Sequence, residues 1–165
     1  MPDVLKRITT EYNAREDRIR LSGEADDSRV VVMWVTQRLF NRLLPPLLKH
    51  LEGQTRANPQ PELLQTFVQE SARAALKPQP AVKAEPGATT WLASTIDVAG
   101  SKKLVRLTFR GADGQAATLA LSAEQVRQWL DVMHKTWVKA GWPLDMWPAW
   151  IKQPDQAAGQ QSTHH

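Results

Sequence analysis

Arg18 and Arg20 stand two residues apart in a stretch of alternating character, Arg106 and Arg110 four apart in another, and Trp34 falls on the predicted continuation of the first of these faces. Alternate residues of a strand share one face, so these side chains would point the same way from a sheet. Guanidinium groups beside an indole on an open sheet are equipped to grip phosphates and stack a base. Arg18, Arg20, Arg106, Arg110 and Trp34 therefore define one functional reading, a nucleic-acid-binding accessory protein. The commoner role of arginines on a solvent-facing strand is to pair with neighbours such as Glu11, Glu24 or Asp97.

Catalytic chemistry finds less to work with. The 165 residues include no cysteine, which removes thiol nucleophiles, zinc ribbons and disulfide frameworks together. There is no GxSxG elbow and no glycine-rich phosphate loop of either common form. His50 and His134 lie in helical patterns without HExxH spacing, and are read as rim or surface residues. The acidic pairs Glu16-Asp17 and Asp26-Asp27 sit at strand ends, where turns favour short polar side chains. No catalytic residue, cofactor or metal is assigned, and the chain is expected to be non-enzymatic.

Two groups of apolar residues lack an evident home. Val30, Val32 and Trp34 form the outer set of a strand whose inner set is also apolar, so that strand needs cover on both faces. The cover is expected to be the helix from Glu62 to Lys77 or another chain. The segment Trp142 to Ile151 holds three of the seven tryptophans, prolines that forbid a long helix, and little charge. It must be buried, either over the open end of its own core or in the groove of a partner. Val30, Val32, Trp34, Trp142, Met146, Trp147 and Trp150 are thus the candidate residues for a protein partner or for self-association as a dimer.

Apolar residues make up 42% of the chain and charged residues 23%, with a net charge of +4, the balance of an ordinary globular domain. That basicity permits contact with nucleic acid or acidic partners without requiring it. No run reaches the roughly 18 to 20 apolar residues of a membrane span, and Met1-Pro2-Asp3-Val4 leads into charged sequence with no signal-peptide core. The expected location is cytoplasmic.

The elements that would hold these residues repeat. Sliding Leu5–Leu51 by 86 positions lays it on Trp91–Trp137 without a gap. Ile19-Arg20-Leu21-Ser22 falls on Val105-Arg106-Leu107-Thr108, and Val31, Met33, Val35 and Thr36 fall on Ala117, Leu119, Leu121 and Ser122. Each unit shows three period-two strands and then a helix, capped by Thr36 in the first and by a Ser122/Gln125 capping box in the second. Pro45-Pro46 is expected to bend the first helix or split it in two. Between the units, Pro61 opens a helix over 61–77 bearing Leu63, Leu64, Phe67, Val68, Ala72, Ala75 and Leu76 on one side, and Pro78–Gly87 reads as an extended surface linker.

The predicted fold is α+β: two pseudo-symmetric β-β-β-α units, each a three-stranded antiparallel meander plus helix, joined by an extra helix and a proline-rich linker. A single domain over 1–151 would contain repeats at about 4–53 and 90–141, followed by a disordered polar tail over 152–165. The element order resembles the head domains of DNA-repair and centriole scaffold proteins, which also insert a helical pair between strand groups. That resemblance extends to topology alone, and the long coiled coil through which those proteins dimerise has no counterpart here. The function expected from these features is a protein–protein interaction or scaffold module.

Overall fold

The computed structural model describes residues 2–152. The expectation of a disordered tail therefore falls outside the described residues, except at Lys152. The order of elements is β1 (Asp3–Asn13), β2 (Arg18–Ala25), β3 (Val30–Val35), α1 (Gln37–Gly53), α2 (Pro61–Ala75), β4 (Thr89–Gly100), β5 (Leu104–Gly111), β6 (Ala116–Ser122) and α3 (Ala123–Ala140), closed by a 3-10 turn at Ala149–Ile151. The protein is mixed α+β, and its six strands close into one barrel in chain order.

The barrel is what the sequence patterns did not announce. Within β1–β2–β3 and β4–β5–β6 all pairings are antiparallel, as hairpins dictate. The two sets then join edge to edge through parallel pairings, β3 to β4 and β1 to β6. Both joints are short, Val31–Trp34 against Thr89–Leu92 and Asp3–Leu5 against Ala117–Leu119. Closure leaves few unpaired strand edges, which an open meander would have to protect otherwise.

Alternation fills the interior. Ile19, Leu21, Val31, Met33, Val105, Leu107, Phe109, Ala117 and Leu119 all point inward and are buried. Gly23 makes room for Leu5, whose Cδ1 lies 2.8 Å from where a Cβ at that position would stand. Helices α1 and α3 meet through their rings, Phe40 lying 6.4 Å from Trp129 and 6.0 Å from Trp137. Trp129 Nε1 donates to Thr10 Oγ1 at 3.0 Å, which seats α3 against β1.

Helix α1 runs on through Pro45 and Pro46, so the two prolines do not split it in two. Both prolines face solvent, while Leu43, Leu44, Leu47 and Leu48 on either side are buried. The carbonyls that lose their intrahelical donors, those of Asn41 and Arg42, belong to residues on that same outer side, half-buried and exposed, where solvent can serve as donor. Among the described residues no helix is long and apolar enough to cross a membrane.

Candidate docking surface

The outer face of β3 is not covered by α2, the intrachain element expected there. Thr9, Ser22 and Val32 form one cross-strand row, and Arg7, Glu24 and Val30 the next. The segment between α2 and β4 crosses both: the Val82 amide donates to Thr9 Oγ1 at 2.7 Å, and Arg7 Nη1 donates to the Pro80 carbonyl. Val82 is 2% exposed and Val32 3%. The proline-rich linker is thus extended, as read, but docked. Val30 and Trp34 stay half-buried, with exposed Leu92 paired beside Trp34.

The aromatic tail is spent inside the molecule. Trp142, Trp147 and Trp150 are buried with the core, and only Met146 among the tail candidates is exposed. Trp137 is the hub, with Trp142 edge-on at 5.1 Å and Trp147 edge-on at 5.4 Å. Trp142 Nε1 donates to Asp17 Oδ1 at 3.1 Å, and Tyr12 Oη donates to the same oxygen at 2.6 Å. These two bonds hold the Asp17 carboxyl below its ordinary pKa.

The barrel separates the arginines. β2 and β5 are three strands apart in a closed ring of six, so their outward faces look in opposite directions. Arg18 and Arg20 remain near Trp34, since Arg20 pairs directly with it. Arg106 and Arg110 stand on the far wall, where Arg110 Nε binds Asp97 Oδ2 at 2.8 Å. No single face collects all four.

Sequence periodicity places α2 but not the way it faces. Expected as a candidate cover for β3, the helix instead buries Gln65, Gln69 and Ala72 and leaves Leu63 and Phe67 each 65% exposed. Its inner side is keyed by polar contacts. Gln65 Nε2 donates to the Leu51 carbonyl at 2.7 Å and to Thr55 Oγ1 at 2.8 Å, while Gln69 Nε2 donates to the Arg127 carbonyl at 2.9 Å. Arg73 Nε binds Asp131 Oδ1 at 2.9 Å and Arg73 Nη2 donates to the Ile151 carbonyl at 3.2 Å. The available signal was that Gln65, Gln69 and Ala72 share one helical face, directly opposite Leu63, Phe67 and Ala74.

Arg127 is the cost of this seat. It is 1% exposed, lies 5.5 Å from the Trp150 ring centre, and meets Gln69 Oε1 at 3.4 Å, while its Nε and Nη2 have no partner. Burial lowers its pKa to about 10. His134, read from sequence as a surface residue, is likewise buried, edge-on to Trp147 at 5.1 Å. Desolvation there lowers its pKa.

Among the described residues no group of three or more His, Asp or Glu side chains is placed to hold a metal ion. No family model, curated protein or solved structure matches this chain.

Proposed function

We propose that this chain is a non-enzymatic protein-interaction module, and that it docks its partner on the solvent side of α2. The inverted helix carries this reading. Leu63 and Phe67 stand one turn apart and contribute little to their own fold, so burying them in a complex would yield on the order of 25 cal/mol per Å² of apolar surface removed from water. The occupant is an amphipathic segment of another protein whose apolar anchors are flanked by basic side chains. Glu62 and Glu70 border the apolar pair and enter no ion pair among the described residues. A second copy of α2 would bring like carboxylates together instead.

The test is capture from nuclease-treated host lysate with the intact chain, set against Leu63→Glu and Phe67→Glu. A captured protein supports the reading only if both variants lose it and if the purified partner protects residues 61–75 from hydrogen exchange. A concentration-dependent dimer that Phe67→Glu abolishes would replace the partner with a second copy. Capture indifferent to both variants would remove α2 from the function.

We further propose that the barrel is two related β-β-β-α halves. The shift of 86 carries the bounds of β2 onto those of β5, the cap bond Leu39 N to Thr36 Oγ1 onto Gln125 N to Ser122 Oγ, and the turn bond Ala25 N to Arg29 O onto Gly111 N to Gln115 O. It also carries the joint Asp3–Ala117 onto the joint Thr89–Val31. There is one departure: Ile8 pairs with Gly23 but Ile96 with Phe109, two positions late, and the turn after β4, 101–103, is one residue shorter than that after β1, 14–17. Superposition of β2–β3–α1 on β5–β6–α3 in an experimental structure tests this, and helices docked at different angles would refute it.

A further inference from the structure

The two halves of the barrel end differently at their mouths. Ile19 and Val105 correspond under the shift of 86, and Tyr12 stands opposite the first as Gly100 stands opposite the second. In the same way Thr10 stands opposite Leu21, and Val98 opposite Leu107. In the first half this inner edge is closed by rings: Trp129 Nε1 reaches Thr10, and Trp142 lies edge-on to Tyr12 at 5.8 Å. In the second half each of those rings is missing. Leu43 corresponds to Trp129, Gly100 takes the register position of Tyr12, and the counterpart of Trp142 is Arg56, which lines a different hollow beside Pro61 and Trp150.

The second mouth is therefore open. Between the end of α1 and the β4–β5 turn lies a hollow of about 540 Å³ walled by His50, Gly53, Gln54, Gly100, Ser101 and Lys102. Val98, on the inward side of β4 opposite fully buried Leu107, is left 36% exposed. A Cβ on Gly100 would stand 3.5 Å from His50 Nδ1, so the side chain this position lacks is one that would have pointed at the end of α1.

The polar chemistry is inverted as well. Asp17, which accepts from both Tyr12 and Trp142, corresponds to Lys103. Lys102 and Lys103 are exposed and enter no ion pair among the described residues, and no carboxylate of those residues lines the hollow. A guest seated here as Trp142 is seated in the other half would bring its own ring, and would bring carboxylates to the lysines where Trp142 found a carboxylate waiting. All the walls except half-buried His50 are exposed, which suits a side chain projecting from a polypeptide better than an enclosed metabolite.

We propose that the mouth between α1 and the β4–β5 turn docks an acidic polypeptide segment through one aromatic side chain. The seat rests on the correspondence of the two halves and is independent of the α2 face.

The experiment is an NMR titration of the intact chain with a capped peptide carrying one tryptophan between two pairs of glutamates, following the backbone amides of Gly53, Gly100 and Ser101. Saturable shifts are expected at all three, weakened at least about tenfold when alanine replaces the tryptophan of the peptide or lysines replace its glutamates. Gly100→Tyr supplies from within the ring that the guest would bring. The backbone of Gly100 is not left-handed and its Cβ meets His50 at an ordinary contact distance, so this variant should fold with an undiminished unfolding midpoint and bind the peptide at least about tenfold more weakly. Lys102→Glu with Lys103→Glu should weaken it by a similar factor. Phe67→Glu should leave peptide binding intact even where it abolishes partner capture, which separates this seat from the α2 face. Absence of saturable shifts, equal binding of the alanine or lysine peptide, or indifference to Gly100→Tyr overturns the proposal. An oligothymidylate that shifts the same amides at lower concentration than the peptide would overturn it in favour of nucleic acid.

Discussion

Gln69 and Arg127 are joined twice: the amide of Gln69 donates to the backbone carbonyl of Arg127 at 2.9 Å, and the Arg127 guanidinium donates back to Gln69 Oε1 at 3.4 Å. Both side chains are buried, so α2 is registered on α3 by a polar pair where most helices use an apolar stripe. Gln69→Leu leaves Arg127 without its acceptor, and a loss of about 1–3 kcal/mol in urea unfolding is expected. Gln69→Leu combined with Arg127→Met should recover most of that loss, because removing both partners leaves no buried group unpaired. Additive losses would show that the pair does not hold the helix.

The two apolar surfaces differ in what they do for the fold. Phe67→Ala should change stability by no more than about 0.5 kcal/mol, the range of surface substitutions. Trp147→Ala removes a buried ring from the Trp137 cluster and should cost about 3–5 kcal/mol. Chemical unfolding of the two variants side by side checks both. A large loss at Phe67 would make it core, and a small one at Trp147 would return the tail to the role of a docking segment.

His134 gives stability a pH dependence on its acid side. Burial favours its neutral form; Asp131 opposes that shift, while Lys152 and Arg73 reinforce it. The unfolded histidine titrates near 6.5, so below that pH the unfolded chain binds a proton that the folded chain does not. This contribution is therefore complete above pH 6.5 and lost as pH falls toward the lower folded value. Thermal unfolding midpoints between pH 7.5 and 5 should fall, and the slope should be shallower in His134→Asn. An unchanged slope in that variant would assign the acid sensitivity to other groups.

Strands, caps and the alternation of inward residues were legible because each is set by local spacing. The bounds of β2, β3, β5 and β6, and the Ser122 capping box, follow directly from period-two runs and turn residues. Closure of the barrel was not legible, since the parallel joints β3–β4 and β1–β6 link residues far apart in sequence and carry no turn signature. Helix α2 misled for a related reason. Leu63, Leu64, Phe67, Val68 and Ala72 spread over about half its circumference, so periodicity alone did not choose a buried side; the acceptors at Leu51, Thr55 and Arg127 did. The arginine face failed because alternation fixes which wall of a strand a side chain leaves, while the barrel decides where that wall looks.

The docked linker offers the last test, because it protects the face that sequence alone marked as needing cover. Val82 is held by its amide to Thr9 and by burial of its side chain over the row that contains Val32. Val82→Asp places a charge in that seat, and the segment should lift off at a cost near the roughly 1.5–3 kcal/mol of a buried valine. Lys83 lies next to it and becomes the reporter. Limited trypsin digestion should cleave after Lys83 faster in the variant than in the parent, and hydrogen exchange should rise in β3 as its outer face loses cover. Equal cleavage rates would mean that the linker is free in both chains, and that the face of Val30, Val32 and Trp34 is open to a partner after all.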